Sequence, residues 1–154
     1  MEIKISSYQD NFSKEFYDLN IEWLKNYFYV EPFDEEVLSN PKKYIISKGG
    51  HIFFAIYNDS VVGTVALMPT KEQTVFELTK MAVLPTYRGY KIGQKLMQHC
   101  IEFSLDSGLK SLILYSNTIL ENAIYIYRKF GFIEIPVEPD CHYERSNIKM
   151  ALIF

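Results

Sequence analysis

Between Pro85 and Gln94 the chain reads Pro-Thr-Tyr-Arg-Gly-Tyr-Lys-Ile-Gly-Gln, with two cations and two glycines in the six residues from Arg88 to Gly93. The first amides of a helix have no intrahelical acceptors, and the aligned peptide dipoles add roughly half a positive charge at that end. A helix starting here turns the backbone N–H groups of Gly89, Tyr90, Lys91, Ile92, Gly93 and Gln94 into a site for a phosphate or pyrophosphate. Gly89 and Gly93 let such a ligand come close to the backbone, and Arg88, Lys91 and Lys95 add charge. The same residues also suit an ordinary loop with solvated cations. Neither G-x-x-x-x-G-K-[ST] nor G-x-G-x-x-G is present, which excludes the usual nucleotide loops.

Other reactive side chains are less promising. Cys141 and His142 are adjacent, and adjacency in a strand sends two side chains to opposite faces. Cys100 falls on an apolar helix face and reads as core. His51, His99 and His142 lack ligand spacing, so no metal is expected.

These residues need elements to hold them. Ile3 and Ile5 begin a strand, and Phe12, Phe16, Leu19 and Trp23 follow a helical period. Phe33 to Leu38 predicts a second short helix before Pro41. His51 to Tyr57 and Val61 to Met68 predict a hairpin across Asn58-Asp59-Ser60. Thr74 to Leu84 is a third strand, whose alternation puts Val75, Glu77, Thr79, Met81 and Val83 on one face. A helix follows from about Gly89 to Asp106, then a strand at Leu112 to Tyr115 and a helix ending at Phe130. Strands at Phe132 to Ile135 and Tyr143 to Phe154 complete the chain. Strand, helix, strand from Thr74 to Tyr115 implies one parallel pair with a right-handed crossover, whereas the hairpins imply antiparallel pairing elsewhere. The fold class is α/β with a mixed, mostly antiparallel sheet flanked by helices, in a single domain over residues 1–154.

Composition narrows the classes. Apolar residues make up 48% and aromatics 16% of the 154, too many for a disordered chain. No stretch reaches the roughly 18 apolar residues of a membrane span, and the N-terminus alternates where a signal peptide has basic and apolar regions. A cytoplasmic location is expected, with no membrane partner. Two cysteines cannot form a disulfide framework. The net charge of −3 and a single short basic cluster argue against nucleic acid as a partner. Charge is nonetheless uneven: residues 1–40 hold 3 Lys and 9 Asp/Glu, residues 41–100 hold 8 basic and 3 acidic residues. The middle is suited to an anion.

The strand-to-helix junction resembles the acyl-coenzyme A site of the GNAT superfamily of N-acyltransferases, whose signature [QR]-x-x-G-x-[GA] is matched here by Arg88 and Gly93. Glu77 to Val83 is similar to the family's preceding strand. Ala123-Ile124-Tyr125-Ile126-Tyr127-Arg128-Lys129-Phe130-Gly131-Phe132 is similar to its A-x-x-x-Y-x-[KR]-x-G-F helix end. Lys91 stands where the family has its first signature glycine, a position where a side chain is less free to take positive φ. Its ammonium is expected to compensate by reaching the coenzyme's phosphates. Leu120 stands where the family often has Asn. Asn117 steps by 3, 3 and 4 through Leu120 and Ala123 to Tyr127, so on an early-starting helix it is either the pantetheine contact or the helix cap.

The resemblance implies direct transfer from acetyl-CoA to a primary amine of a small molecule or peptide within a ternary complex. An alkylammonium of pKa about 10.4 needs a base to become a nucleophile. Glu77 matches the glutamate that serves in some members, and Tyr127 matches the tyrosine that protonates the departing thiolate. Backbone groups from Met81 to Val83 are implied to bond the pantetheine arm. Glu22, Glu31, Asp34, Glu35 and Glu36 border the implied acceptor side, where they attract a cationic amine or form a solvated acidic face. The competing class is a non-catalytic acyl-CoA sensor or interaction module. An exposed edge strand leaves a homodimer open.

Overall fold

The computed structural model describes residues 1–154. Strand β1 (Lys4–Ser7) precedes helices α1 (Ser13–Tyr27), α2 (Pro32–Ser39) and α3 (Pro41–Tyr44). Three strands follow, β2 (His51–Tyr57), β3 (Ser60–Pro69) and β4 (Val75–Val83), then helix α4 (Ile92–Asp106). Strand β5 (Ser111–Ser116), helix α5 (Glu121–Lys129) and strands β6 (Ile133–Ile135) and β7 (Ile148–Ile153) complete the fold. The sheet runs β1-β2-β3-β4-β5-β7-β6, antiparallel throughout except for the parallel β4/β5 pair, so the predicted mixed architecture is observed. Asn58 and Asp59 both take positive φ, 48° and 64°, as a two-residue turn matching strand twist requires.

Two cores lie on opposite faces of the sheet. Phe53, Val65, Leu67, Leu78, Leu96 and Leu112 pack on the α4 face. Phe16, Leu24, Val37, Leu38, Phe54 and Ala66 pack on the α1/α2 face. A Cβ at Gly63 would stand 3.1 Å from Ile92 Cγ2 and 3.2 Å from Leu96 Cδ1, so glycine there lets α4 lie close on β3. The first helical turn is thereby anchored to the centre of the sheet.

Two departures shape the site. The β3/β4 register shifts between Thr64 and Ala66, and opposite that shift Lys80 takes φ 57°. Such a bulge inserts one extra residue and reverses the phase of the side chains beyond it. Phe76 and Leu78 pack on the α4 face, and so do Met81 and Val83. Glu77 therefore does not share a face with Met81 and Val83, correcting the expectation from simple alternation; it looks toward the α1/α2 side.

The parallel β4/β5 pairing ends at Glu77 and Ile113. Beyond that point the strands part, which opens the sheet beside Met81 and Val83. At the C-terminus the last strand begins at Ile148 rather than Tyr143, and the residues before it form turns.

Candidate active site

After Val83 the chain makes a 3-10 turn over Pro85–Tyr87 and enters α4 through Gly89 at φ 89° and Lys91 at φ 62°. Lys91 is the helix N-cap, with no side chain accepting from the first turn. The amide of Lys95 bonds the Lys91 carbonyl at 3.1 Å. The amides of Ile92, Gly93 and Gln94 precede that first helical bond and project from the positive end of a 15-residue helix. The left-handed conformation withheld from most side chains is the one Lys91 adopts, at a cost of roughly 1–2 kcal/mol.

These residues line a cavity of about 470 Å³ together with Met81, Val83 and, from α5, Tyr127. A Cβ at Gly93 would meet Met81 Sδ at 3.5 Å, on the wall of this groove. A second cavity, of about 610 Å³, lies between α1, β4 and β5. The two share Met81, Val83, Arg88 and Tyr127. A ligand held at the helix terminus can thus extend past Val83 and present its far end to the second cavity. Burial pushes the Tyr127 phenol up, while the Ser116 hydroxyl pulls it down, so the proton is held at neutral pH.

Below the larger cavity is a cluster of ionic side chains. Asp34, fully buried, accepts from Arg145 Nη1 at 2.7 Å and Nη2 at 3.0 Å, and from the Glu31 amide at 3.0 Å. Lys80 Nζ contacts Asp34 Oδ1 at 3.4 Å and Tyr143 Oη at 3.3 Å. Arg145 also bonds Glu31 Oε2 at 2.7 Å. Burial acts to raise the Asp34 pKa, yet Arg145 and Lys80 hold the carboxyl below its usual range. Burial draws the Lys80 ammonium down, opposed by Asp34 and Glu77.

Glu77 sits beside this cluster, where Tyr143 Oη donates to its Oε2 at 3.1 Å. Burial raises its pKa, with Lys80 and the Tyr143 hydrogen bond opposing. The lining of the larger cavity includes Tyr143 and not Glu77. The carboxylate stands one hydrogen bond behind the wall.

The remaining predicted residues divide. Met81, Val83, Gly89, Lys91, Ile92, Gly93, Gln94 and Tyr127 surround the smaller cavity. The Tyr90 ring is 56% exposed and lines neither. The Arg88 guanidinium is committed to Glu22 Oε1 at 2.6 Å and the Val83 carbonyl at 3.1 Å, away from the role of free phosphate charge. Asn117 is not on α5, which starts at Glu121. It sits in the preceding turn, donating to the Arg145 carbonyl at 2.7 Å and accepting from the Ile119 amide at 3.0 Å. The shared helical face with Tyr127 is therefore corrected, although Asn117 does line the larger cavity. Asn122, in the first turn of α5, lines both cavities.

Sequence reasoning missed Lys80, Tyr143 and Arg145. A lysine amid Leu78, Met81, Ala82 and Val83 was the one available signal, since a buried cation needs partners. Nothing local marks Tyr143 or Arg145, whose contacts with Asp34, Glu77 and Lys80 span 63 to 111 residues.

The acetyltransferase (GNAT) family model matches residues 2–132. The chain is 30% identical over 95 residues to N-acetyltransferase 8B of Rattus norvegicus, a match covering 59% of this chain and 43% of that protein. It thus spans less than half the length of this relative. An acetyltransferase of the GNAT family from Staphylococcus aureus Mu50 superposes with TM-score 0.85 at 25% identity, covering 97% of this chain and 98% of the other. PaiA N-acetyltransferase of Thermoplasma acidophilum, solved in complex with coenzyme A, superposes at TM-score 0.77 and 17% identity over the full length of both. No helix is long and apolar enough to cross a membrane. With the family model spanning the first five of the seven strands, β1 to β5, and the helices between them, the chain belongs to the acetyltransferase (GNAT) family.

Proposed function

We propose that the chain transfers an acetyl group from acetyl-CoA to a primary amine, by direct attack with both substrates bound in one domain. The observation that carries this is the meeting of two cavities across Val83 and Tyr127, one rimmed by free helix amides and the other by buried ionisable groups. Acetyl-CoA supplies the acyl group as an activated thioester. The Ile92, Gly93 and Gln94 amides fit its pyrophosphate, with Lys91 adding charge. The parted edge of β4 at Met81 and Val83 offers backbone groups to the pantetheine arm and a donor to the thioester carbonyl.

The acceptor enters the larger cavity. Glu77, its pKa raised by burial, takes the proton that an ammonium must lose. Because Tyr143 Oη lies between Glu77 and the cavity, the proton travels through that hydroxyl: Tyr143 accepts it and passes its own to Glu77. The amine nitrogen then forms the bond to the acyl carbon as the carbon–sulfur bond breaks. Tyr127, at the junction and still protonated, donates to the departing sulfur, and the proton shed by the acylated nitrogen restores its phenol. Holding the two reactants in one cleft supplies much of the rate.

Release of free thiol from acetyl-CoA with a panel of primary amines tests this, beside a binding measurement without amine. Amine-dependent thiol release, lost in Glu77→Gln, is the expected result. Tight coenzyme binding with no release on any amine would instead identify a sensor.

A further inference from the structure

Four of the five acids expected to attract a cationic acceptor are already engaged, and the fifth, Glu36, is exposed and lines neither cavity. Glu22 is held by Arg88 at 2.6 Å, Glu31 by Arg145 at 2.7 Å and by the Glu144 amide at 3.0 Å, and Glu35 accepts from Tyr17 Oη at 2.9 Å. None of these three lines the larger cavity. The charged side chains that do are Lys80, Arg88 and Arg145 against Asp34 and Glu121. Asp34 has no capacity to spare, because Arg145, Lys80 and the Glu31 amide all draw on its two oxygens. Glu121 is exposed at the start of α5.

The cations keep unspent donors. Arg145 uses Nη1 twice and Nη2 once, leaving Nε–H and one Nη2 proton from its five donors. The Lys80 side chain is 3% exposed, yet its two polar contacts are long, at 3.4 and 3.3 Å. A buried ammonium sharing one carboxylate with a better-placed guanidinium is under-satisfied, and a second anion in the cavity would complete its shell. Opposite stand Trp23 and Tyr27 of α1 with Phe28 just past its end, an aromatic wall for an apolar group.

We infer that the acceptor is an amine carrying its own carboxylate and an apolar body, an apolar α-amino acid in chemical class, with the carboxylate seated on Lys80 and Arg145. This rests on the reading of the larger cavity as the acceptor site.

The test uses matched ligands that differ only at the carboxylate: phenylalanine, phenylalanine amide and phenethylamine. Each is titrated calorimetrically into protein saturated with coenzyme A, and each is assayed for thiol release from acetyl-CoA. Phenylalanine is expected to bind at least tenfold more tightly than either partner, and Lys80→Met is expected to shrink that ratio toward one. Equal or weaker binding of phenylalanine by the wild type overturns the inference, as does a ratio that a folded Lys80→Met protein leaves unchanged. If Lys80→Met does not fold, the wild-type ranking alone decides. A carboxylate preference in binding without thiol release from any ligand upholds the carboxylate seat on Lys80 and Arg145 but overturns its assignment to an acceptor. Thiol release without a carboxylate preference does the reverse.

Discussion

The two ends of the cleft are built from different material. At the proposed coenzyme end the groups on offer are peptide amides, those of Ile92, Gly93 and Gln94, oriented by one helix terminus. At the acceptor end they are side chains, drawn from α2 (Asp34), β4 (Glu77 and Lys80) and the irregular segment before β7 (Tyr143 and Arg145). Backbone amides donate whatever the side chains are, so the first end accommodates Lys91 where the family signature has glycine. The second is a linked set of charges. Removing one leaves its partners buried and unpaired.

The contrast is most exposed at the acceptor end. Glu77→Gln keeps the shape and removes the base, and kcat is expected to fall by about 10²- to 10⁴-fold with coenzyme affinity retained. Steady-state kinetics with a calorimetric titration read both quantities, and a loss confined to coenzyme binding would break the division of labour.

Arg145→Met leaves Asp34 and Glu31 without their main partner. A buried ion pair broken on one side costs about 3–5 kcal/mol, so denaturant unfolding of this variant should show a large drop in midpoint. Lys95→Met, at an exposed position of α4 outside both cavities, should shift it within about 0.5 kcal/mol. Comparable stabilities would mean the ionic cluster is not a structural unit.

The acid limb of the pH–rate profile sharpens the picture further. Glu77 is raised by burial and must be ionised to act, so kcat/KM should rise with pH through a midpoint above the ordinary carboxylate range. The Tyr143 hydroxyl stabilises the ionised form, and Tyr143→Phe removes that bond. The midpoint should therefore move higher and the plateau fall, since the relay is also lost. An unmoved limb would detach Tyr143 from the base. At the junction, Tyr127→Phe should lower turnover by about 10²-fold, the low end for a proton donor, with little change in coenzyme affinity.

The smallest effect belongs to the hinge. Lys91→Gly relieves the left-handed strain and should stabilise the free protein by about 1 kcal/mol, while weakening coenzyme binding through the lost ammonium. Thermal unfolding and coenzyme titration separate the two. Stabilisation with unchanged or tighter affinity would show that the amides alone hold the phosphates.

Legibility in the sequence followed the same boundary. The hairpin at Asn58-Asp59, the β4–α4–β5 crossover and the glycine-bearing turn into α4 were readable because each depends on neighbours a few residues apart. The face of Glu77 was misread because a bulge at Lys80 depends on how β3 and β4 align, not on β4 alone. Asn117 was placed on a helix because its spacing was helical, whereas bonds to Arg145 and Ile119 hold it in a turn. The acidic residues of α1 and α2 looked like an attraction for cations until their partners arrived from Arg88 and Arg145.

From the order of residues alone came the alternation of strands and helices, the glycine-bearing turn with its unpaired amides, and the presence of a carboxyl and a phenol at family positions. These are properties of short-range geometry, and short-range geometry is written in consecutive residues. Which charges meet, which face each side chain takes past the bulge, and what sign of charge lines the larger cavity were decided by tertiary structure. Coulomb interactions and burial act through space, so they remain unset until distant segments are packed against one another.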